Sequence, residues 1–475
     1  MDLLSRGSLP LAWSETWKAD PTAEYVRDLD GTWLDGFDLL DRTARVASRL
    51  HAAGLRAGDR VLVSGEASAA FVCAHVGALR LGCVVVPVNG AYSQREIDAL
   101  VDAASPRAAI LEREELRSWM PPSVITTGLD VDLPDGVVPE LDGVAADDPA
   151  LLPFTSGTTG APKGVLLSHG NLLASAEAVR IAWRWEPTDT LLLCLPLFHV
   201  HGLGVGLHGG LLSGGRIILQ RGFDPEAVLD ACDDATMFFG VPTMWSRLAS
   251  ADGLERLGKL RLCVSGSAPL APDLLERIRE ATGQTILERY GMTETLMLTT
   301  NPYDGERKPG SVGLPFPGVE VRLDPETSEI EVRGPNVFGG YLDRPDASAF
   351  TADGWFRTGD IGAFDDDGYL AIVGRAKELI ITGGYNVFPR EIEDVCRAFA
   401  GVRDVAVVGT PSEEWGEIVT AYVETDDPMF DADALVDFAA TQLAPYKRPR
   451  IVHVVDALPR NPMGKVERDR LTPPS

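Results

Sequence analysis

Between positions 155 and 164 the chain reads Thr-Ser-Gly-Thr-Thr-Gly-Ala-Pro-Lys-Gly, a run of small and hydroxylated residues closed by one cation. Gly157, Gly160 and Gly164 allow close backbone approach, Thr155, Ser156, Thr158 and Thr159 carry hydroxyls, and Lys163 supplies positive charge. Such a set suits a polyphosphate. It equally suits a flexible surface loop. The run follows an apolar stretch at 151–154 and precedes another at 165–167, so it is expected to join two strands. It is not the P-loop of nucleotide hydrolases, because Pro162 stands where that motif needs its second Gly and Gly164 where it needs a hydroxyl.

A second constellation, Glu288-Arg289-Tyr290-Gly291-Met292-Thr293-Glu294, follows the strand-like residues 285–287. A tyrosine at a strand end can stack on a base, a threonine can bind phosphate, and a carboxylate can hold Mg²⁺ between phosphates. A third run, Trp355 to Asp360, ends in an acid that could accept hydrogen bonds from ribose hydroxyls. A fourth joins Gly374-Arg375-Ala376-Lys377-Glu378 to Gly383-Gly384-Tyr385, and the last carries Lys465 after Asn461-Pro462-Met463-Gly464. Taken one at a time, each of these also reads as an ordinary turn or surface loop.

The elements that must position them are legible in outline. Apolar residues at helical spacing mark helices at 37–53, 69–81, 225–232, 244–249 and 270–281, alternating with strands at 60–63, 83–87, 217–219, 236–239 and 261–264. That alternation predicts parallel sheets covered on both faces. Past about residue 310 the pattern changes to short strands at 320–323, 329–333 and 369–373, a smaller β-rich portion. From 379 onward strands at 379–381, 405–408 and 418–423 mix with helices at 389–399 and 432–443, enough for a separate α+β domain. We place the boundary between residues 1–375 and 376–475.

Composition narrows the partners. The 475 residues exceed what one core can hold, and 70 acidic against 43 basic residues give a net charge of −27. Nucleic acid and anionic membrane are disfavoured by that field, and an anionic substrate must find cations gathered locally. Six scattered cysteines without a Cys-x-x-Cys pair predict buried free thiols rather than disulfides or zinc. The first residues lack signal-peptide blocks, and the longest apolar stretch, 191–200, is broken by Pro196 and too short to span a bilayer. A cytoplasmic enzyme is expected.

The five motifs, in this order over nearly the whole chain, resemble the acyl-adenylate-forming superfamily of acyl-CoA synthetases, luciferases and peptide-synthetase adenylation domains. The resemblance implies an α/β fold: a large N-terminal domain of two layered αβα lobes plus a β-barrel, and a small mobile α+β C-terminal lid. It implies that residues 155–164 bind the ATP phosphates, that Tyr290 stacks on adenine with Glu288 beside it, and that Gly266, Ser267 and Ala268 line the adenine pocket. Thr293 and Glu294 would hold phosphate and Mg²⁺, Asp360 and Arg375 the ribose. Lys465 would orient the carboxylate and α-phosphate, Lys377 mark the hinge, and Gly383 and Gly384 border the channel for coenzyme A. Lys465 is also a candidate target for a lysine acetyltransferase, because acetylation removes its charge.

Substrate choice turns on Arg289. Typical members of the superfamily place a small or neutral residue there, beside the acyl chain, whereas a guanidinium can grip a second carboxylate by a charge-assisted fork. Arg247, on the predicted helix after Gly240, is a second candidate, and His199 and His201 add two imidazoles near the same wall. Both arginines resemble the pattern of the malonyl-CoA synthetase group. The expected substrates are therefore ATP, CoA and a short dicarboxylic acid, malonate with methylmalonate tolerated. An acid–CoA ligase for a medium-chain or aromatic acid, or a silent acyl- or nucleotide-binding regulator, remain alternatives.

Overall fold

The computed structural model describes residues 2–155, 163–342, 349–382, 385–412, 415–461 and 464–471. They fold as two compact units, Met1–Val321 with Val332–Phe356, and Arg322–Glu331 with Arg357–Ser475. The position 375/376 falls inside the second of these units.

The first unit is built on two sheets whose central strands are parallel. One has six strands, with Val84–Pro87, Arg60–Ser64 and Ala108–Leu111 at its centre. The other has nine, running from Leu314–Pro315 at one edge to Trp33–Asp35 at the other. These centres are continuous apolar runs, as burial on both faces requires: Thr190–Leu193, Met237–Gly240 and Leu262–Ser265 are buried along their whole length. The covering helices start where the sequence supplies a cap. Asp35 accepts the Asp38 N–H (2.8 Å) ahead of Gly36–Ala52, and Ser68 accepts the Phe71 N–H (3.2 Å) ahead of Ala69–Arg80.

Two departures from the expected alternation matter for the site. Residues His201–His208, with glycine at 202, 204 and 206, form a π-helix, a rare conformation that widens the backbone. Leu287–Met292 leaves the parallel sheet and turns back on Leu296–Thr300 as an antiparallel pair, with a register shift between Tyr290 and Gly291. A Cβ on Gly291 would lie 2.0 Å from the Leu296 carbonyl oxygen, so only glycine permits that turn. Leu296 itself takes a positive φ of 53° to close it.

In the second unit Phe356–Phe364 and Leu370–Arg375 form an antiparallel pair within a four-stranded sheet. A further sheet, built on Asp404–Ser412 and Gly416–Glu424 with Ile451–Val455 parallel to the latter, is covered by the helices Pro389–Arg397 and Ala432–Gln442. The mixed α/β architecture expected from the sequence is found. No described helix is long and apolar enough to cross a membrane.

All six cysteines are buried free thiols. More unusual is a buried imidazole cluster in the first unit. His75 Nε2 lies 2.8 Å from His208 Nε2, which requires one ring to donate and the other to accept. The indole of Trp13 packs edge-on against His208 at 5.1 Å. Burial holds His75 down to about 3 and His169 down to about 4, with His208 also well below its ordinary value. These rings are neutral in the fold but take protons when unfolded, so their contribution is complete above about pH 6.5 and is lost as pH falls toward about 4. Denaturant titrations between pH 7.5 and 5 are expected to show stability falling on the acid side of 6.5, by at most about 1.4 kcal/mol per pH unit for each imidazole. Stability that stays flat across that window would contradict this account.

Candidate active site

Gly240, Ser265 and Glu288 stand side by side in three adjacent parallel strands, so the chain leaves all three at one carboxyl edge. The neighbouring strand Thr190–Leu193 is followed by Arg216–Leu219 on one side, and the chain then returns to Met237–Gly240 on the other. Connections diverge there, and a crevice at such a switch point is where open α/β sheets bind ligands. His199 and His201 follow the first of these strands, Gly266 and Ser267 the Leu262–Ser265 strand, and Arg289 lies in the Leu287–Met292 strand.

Arg289 is 4% exposed. Its Nε and Nη2 have no hydrogen-bond partner among the described residues, and burial pulls its guanidinium down to about 9. A Cβ on Gly266 would fall 2.4 Å from its Cζ, so this glycine is what lets the guanidinium lie across the strand end. Its charge reaches both imidazoles. His199 is held down to about 4, and His201 well below its ordinary value, by desolvation and then by Arg289. His199 Nδ1 accepts the His201 backbone N–H at 3.3 Å, which puts the His199 proton on Nε2. His201 Nδ1 lies 3.2 Å from Ser267 Oγ, and its Nε2 is buried without a partner among the described residues. The edge thus presents one buried cation flanked by two neutral rings.

Arg247 is not brought to this cluster. It sits exposed on the helix Pro242–Leu248 with its guanidinium 4.9 Å over the Phe223 ring. It lines a surface groove with Asp224, Glu226 and Ser250, none of which belongs to the Arg289 surroundings. The two arginines expected to share the acid site have no contact with one another among the described residues, and Arg247 faces solvent. Glu288 does not pair with Arg289 either; its Oε2 accepts the Leu270 N–H at 3.2 Å.

The phosphate side begins as a hairpin. Phe154–Thr155 pairs antiparallel with Lys163–Gly164, the two segments that flank the hydroxyl-rich run. Ser156, Gly157, Thr158, Thr159 and Gly160 lie outside the described residues, as do Gly383 and Gly384. Lys163 Nζ stands 5.0 Å over the ring of Tyr341, whose hydroxyl donates to Glu294 Oε1 at 3.0 Å. Tyr341 therefore ties the loop cation to the acid of the second motif. It belongs to none of the five motifs, although its Gly339-Gly340-Tyr341 setting is a signal. Tyr290 is 8% exposed in its strand, Thr293 half-buried in the turn, and Ala268 exposed beyond Ser267.

A magnesium ion fits this donor set. Glu294 offers a hard carboxylate oxygen and Thr293, its neighbour in sequence, a hydroxyl; Mg²⁺ would take such a carboxylate together with substrate phosphates and water.

The second unit carries its own cluster. Asp360, 4% exposed, pairs with Arg375 across the two strands, Nε to Oδ1 at 3.0 Å. Lys465 is on a tight loop closed by Asn461, whose N–H donates to the Lys465 carbonyl (2.8 Å) and whose Oδ1 accepts the Lys465 N–H (3.0 Å). Its side chain keeps solvent access, yet its ammonium is held below the ordinary range by crowding and by Arg375 and Arg468, against the pull of Glu378 and Asp360. Lys377 is exposed in the turn Ala376–Glu378. Arg468, likewise outside the sequence motifs, pairs with both Glu378 (3.2 Å) and Glu393 (2.8 Å) and so ties the lysine loop to that turn.

Comparison with known proteins accords with this geometry. The AMP-binding enzyme family matches residues 13–342, and the AMP-binding enzyme C-terminal domain matches 391–465. A feruloyl-CoA synthase from Amycolatopsis sp is 38% identical over 94% of this chain and 95% of its own length. A malonate–CoA ligase of Arabidopsis thaliana is 33% identical over 87% of this chain and 78% of its own. Among solved structures, ATP-bound MatB from Rhodopseudomonas palustris superposes with a TM-score of 0.92 at 38% identity, covering 97% of this chain and 98% of that one. The chain belongs to the AMP-binding enzyme family, and it is an enzyme of the AMP-forming acid–CoA ligase type.

Proposed function

We propose that this enzyme adenylates malonate, and methylmalonate beside it, with ATP and Mg²⁺ and passes the acyl group to CoA, releasing AMP and pyrophosphate. The observation that carries the reading is the buried guanidinium of Arg289, whose Nε and Nη2 have no hydrogen-bond partner among the described residues. A fatty or aromatic tail laid against it would leave a desolvated charge unmatched, at a cost of about 3–5 kcal/mol. A second carboxylate would pair with it and answer that charge. One extra methyl on the substrate changes binding by only about 1–3 kcal/mol, so methylmalonate is tolerated where the wall has room.

In the first half-reaction a carboxylate oxygen attacks the α-phosphorus of ATP, and the bond to pyrophosphate breaks. Negative charge grows on the equatorial oxygens, and Lys163 and Lys465 are the cations we assign to meet it. Magnesium, when bound, neutralises phosphate charge. We assign Tyr290 to the adenine and Asp360 with Arg375 to the ribose. In the second half-reaction the CoA sulfur attacks the acyl carbon, its proton leaves to solvent, and the carbon–oxygen bond to AMP breaks. The absence of a membrane-crossing helix among the described residues and the small soluble substrates accord with work in the cytoplasm. The solvent access of Lys465 also suits an acetyltransferase, and acetylation would silence adenylation.

Two outcomes are expected. Arg289→Ala should lower kcat/KM for malonate by about two decades while the KM for ATP barely moves, measured by pyrophosphate release over a panel of malonate, methylmalonate, succinate, propionate, octanoate and ferulate. Ferulate turned over faster than malonate by the parent enzyme would overturn the substrate assignment and leave the ligase chemistry standing. Lys465→Ala should abolish adenylate formation yet spare thioester formation from supplied acyl-adenylate. Equal loss of both half-reactions would show that Lys465 does not serve adenylation alone and would overturn its assignment.

A further inference from the structure

The superfamily resemblance gives Ser267 to the adenine pocket, but the structure gives its hydroxyl another partner. Ser267 sits just past the Leu262–Ser265 strand with a φ of +71°, a conformation that a side-chain-bearing residue enters only under constraint. There its Oγ meets His201 Nδ1 at 3.2 Å, across 66 residues of chain. The opposite nitrogen, His201 Nε2, is buried and unpartnered among the described residues, like Nε and Nη2 of Arg289, whose charge it feels. A carboxylate only accepts hydrogen bonds. The imidazole can serve one beside Arg289 only if Nε2 carries the ring proton, and Nδ1 must then accept from a donor. The Ser267 hydroxyl stands where that donor is needed.

We propose that Ser267 is a positioning residue for acid selection: its hydroxyl fixes the His201 tautomer so that Nε2–H joins Nε–H and Nη2–H of Arg289 in a three-donor receptor for the distal carboxylate. This rests on the dicarboxylate reading above. The substrate class it selects is an acid whose far end is an ionised carboxylate, in preference to the isosteric methyl or ester.

The test uses the full-length enzyme with Ser267→Ala and Ser267→Gly. Alanine keeps the Cβ and the backbone demand and deletes only the hydroxyl, whereas glycine also relieves the positive φ. Both are expected to raise the KM for malonate about tenfold, leave the KM for ATP unchanged, and cut the malonate-to-butanoate selectivity by the same factor. ¹⁵N spectra of histidine-labelled enzyme with malonate should show His201 protonated at Nε2 in the parent and losing that preference in both variants. An unchanged selectivity ratio, a rise in the KM for ATP instead, or divergence of the alanine and glycine variants would overturn the proposal while the dicarboxylate reading stands. A parent enzyme that does not prefer malonate to butanoate would sink that reading and this proposal with it.

Discussion

A guanidinium taken out of water must be answered by an anion, and the acid side of this site is organised around that demand. Arg289 reaches its place because three parallel strands end in register and because Gly266 has no Cβ to block the crossing. Its surroundings are arranged to leave its charge single. His199 and His201 stay neutral beside it, since burial and the cation itself both oppose their protonation. Glu288, the nearest acid in sequence, is turned to the Leu270 amide. The edge therefore carries one positive charge in a low-dielectric setting, which matches one carboxylate.

The same economy of charge recurs on the phosphate side. A chain with a net charge of −27 repels anions, so an anionic ligand depends on cations held at particular places. Lys163 lies over the Tyr341 ring, whose hydroxyl is hydrogen-bonded to Glu294, so a loop cation and a motif carboxylate share one support. Lys465 projects from a loop that Asn461 closes on both sides, and Arg468 fastens that segment to the turn bearing Lys377. Lys163 is held by a ring and Lys465 by backbone hydrogen bonds, contacts that set position without cancelling the charge, whereas Arg468 is held by ion pairs to Glu378 and Glu393.

Much of this is legible in the chain itself. The alternation of strands and helices from 60 to 282 follows from period and capping chemistry, and the structure sets element ends within a few residues of those expected: Ala69–Arg80 for 69–81, Pro389–Arg397 for 389–399. The apolar runs on either side of the hydroxyl-rich segment predict flanking strands, and Phe154–Thr155 and Lys163–Gly164 are strands paired with each other. The π-helix His201–His208 is not foreseeable in the same way, because its glycines dilute any periodic signal. Nor is Tyr341, whose role depends on a partner 47 residues away.

What the sequence determined by itself was local: element type, the order of the motifs, and the presence of an arginine where an acyl chain is expected. On that footing Arg289 led and Arg247 was a second candidate for the same acid site. Only the tertiary structure separated them, leaving one guanidinium exposed over Phe223 and desolvating the other at the meeting of three strands. The physical reason is that burial and the loss of hydrogen-bond partners are properties of packing between distant segments. A residue's type fixes the charge it can carry, and the fold decides whether water is there to answer it.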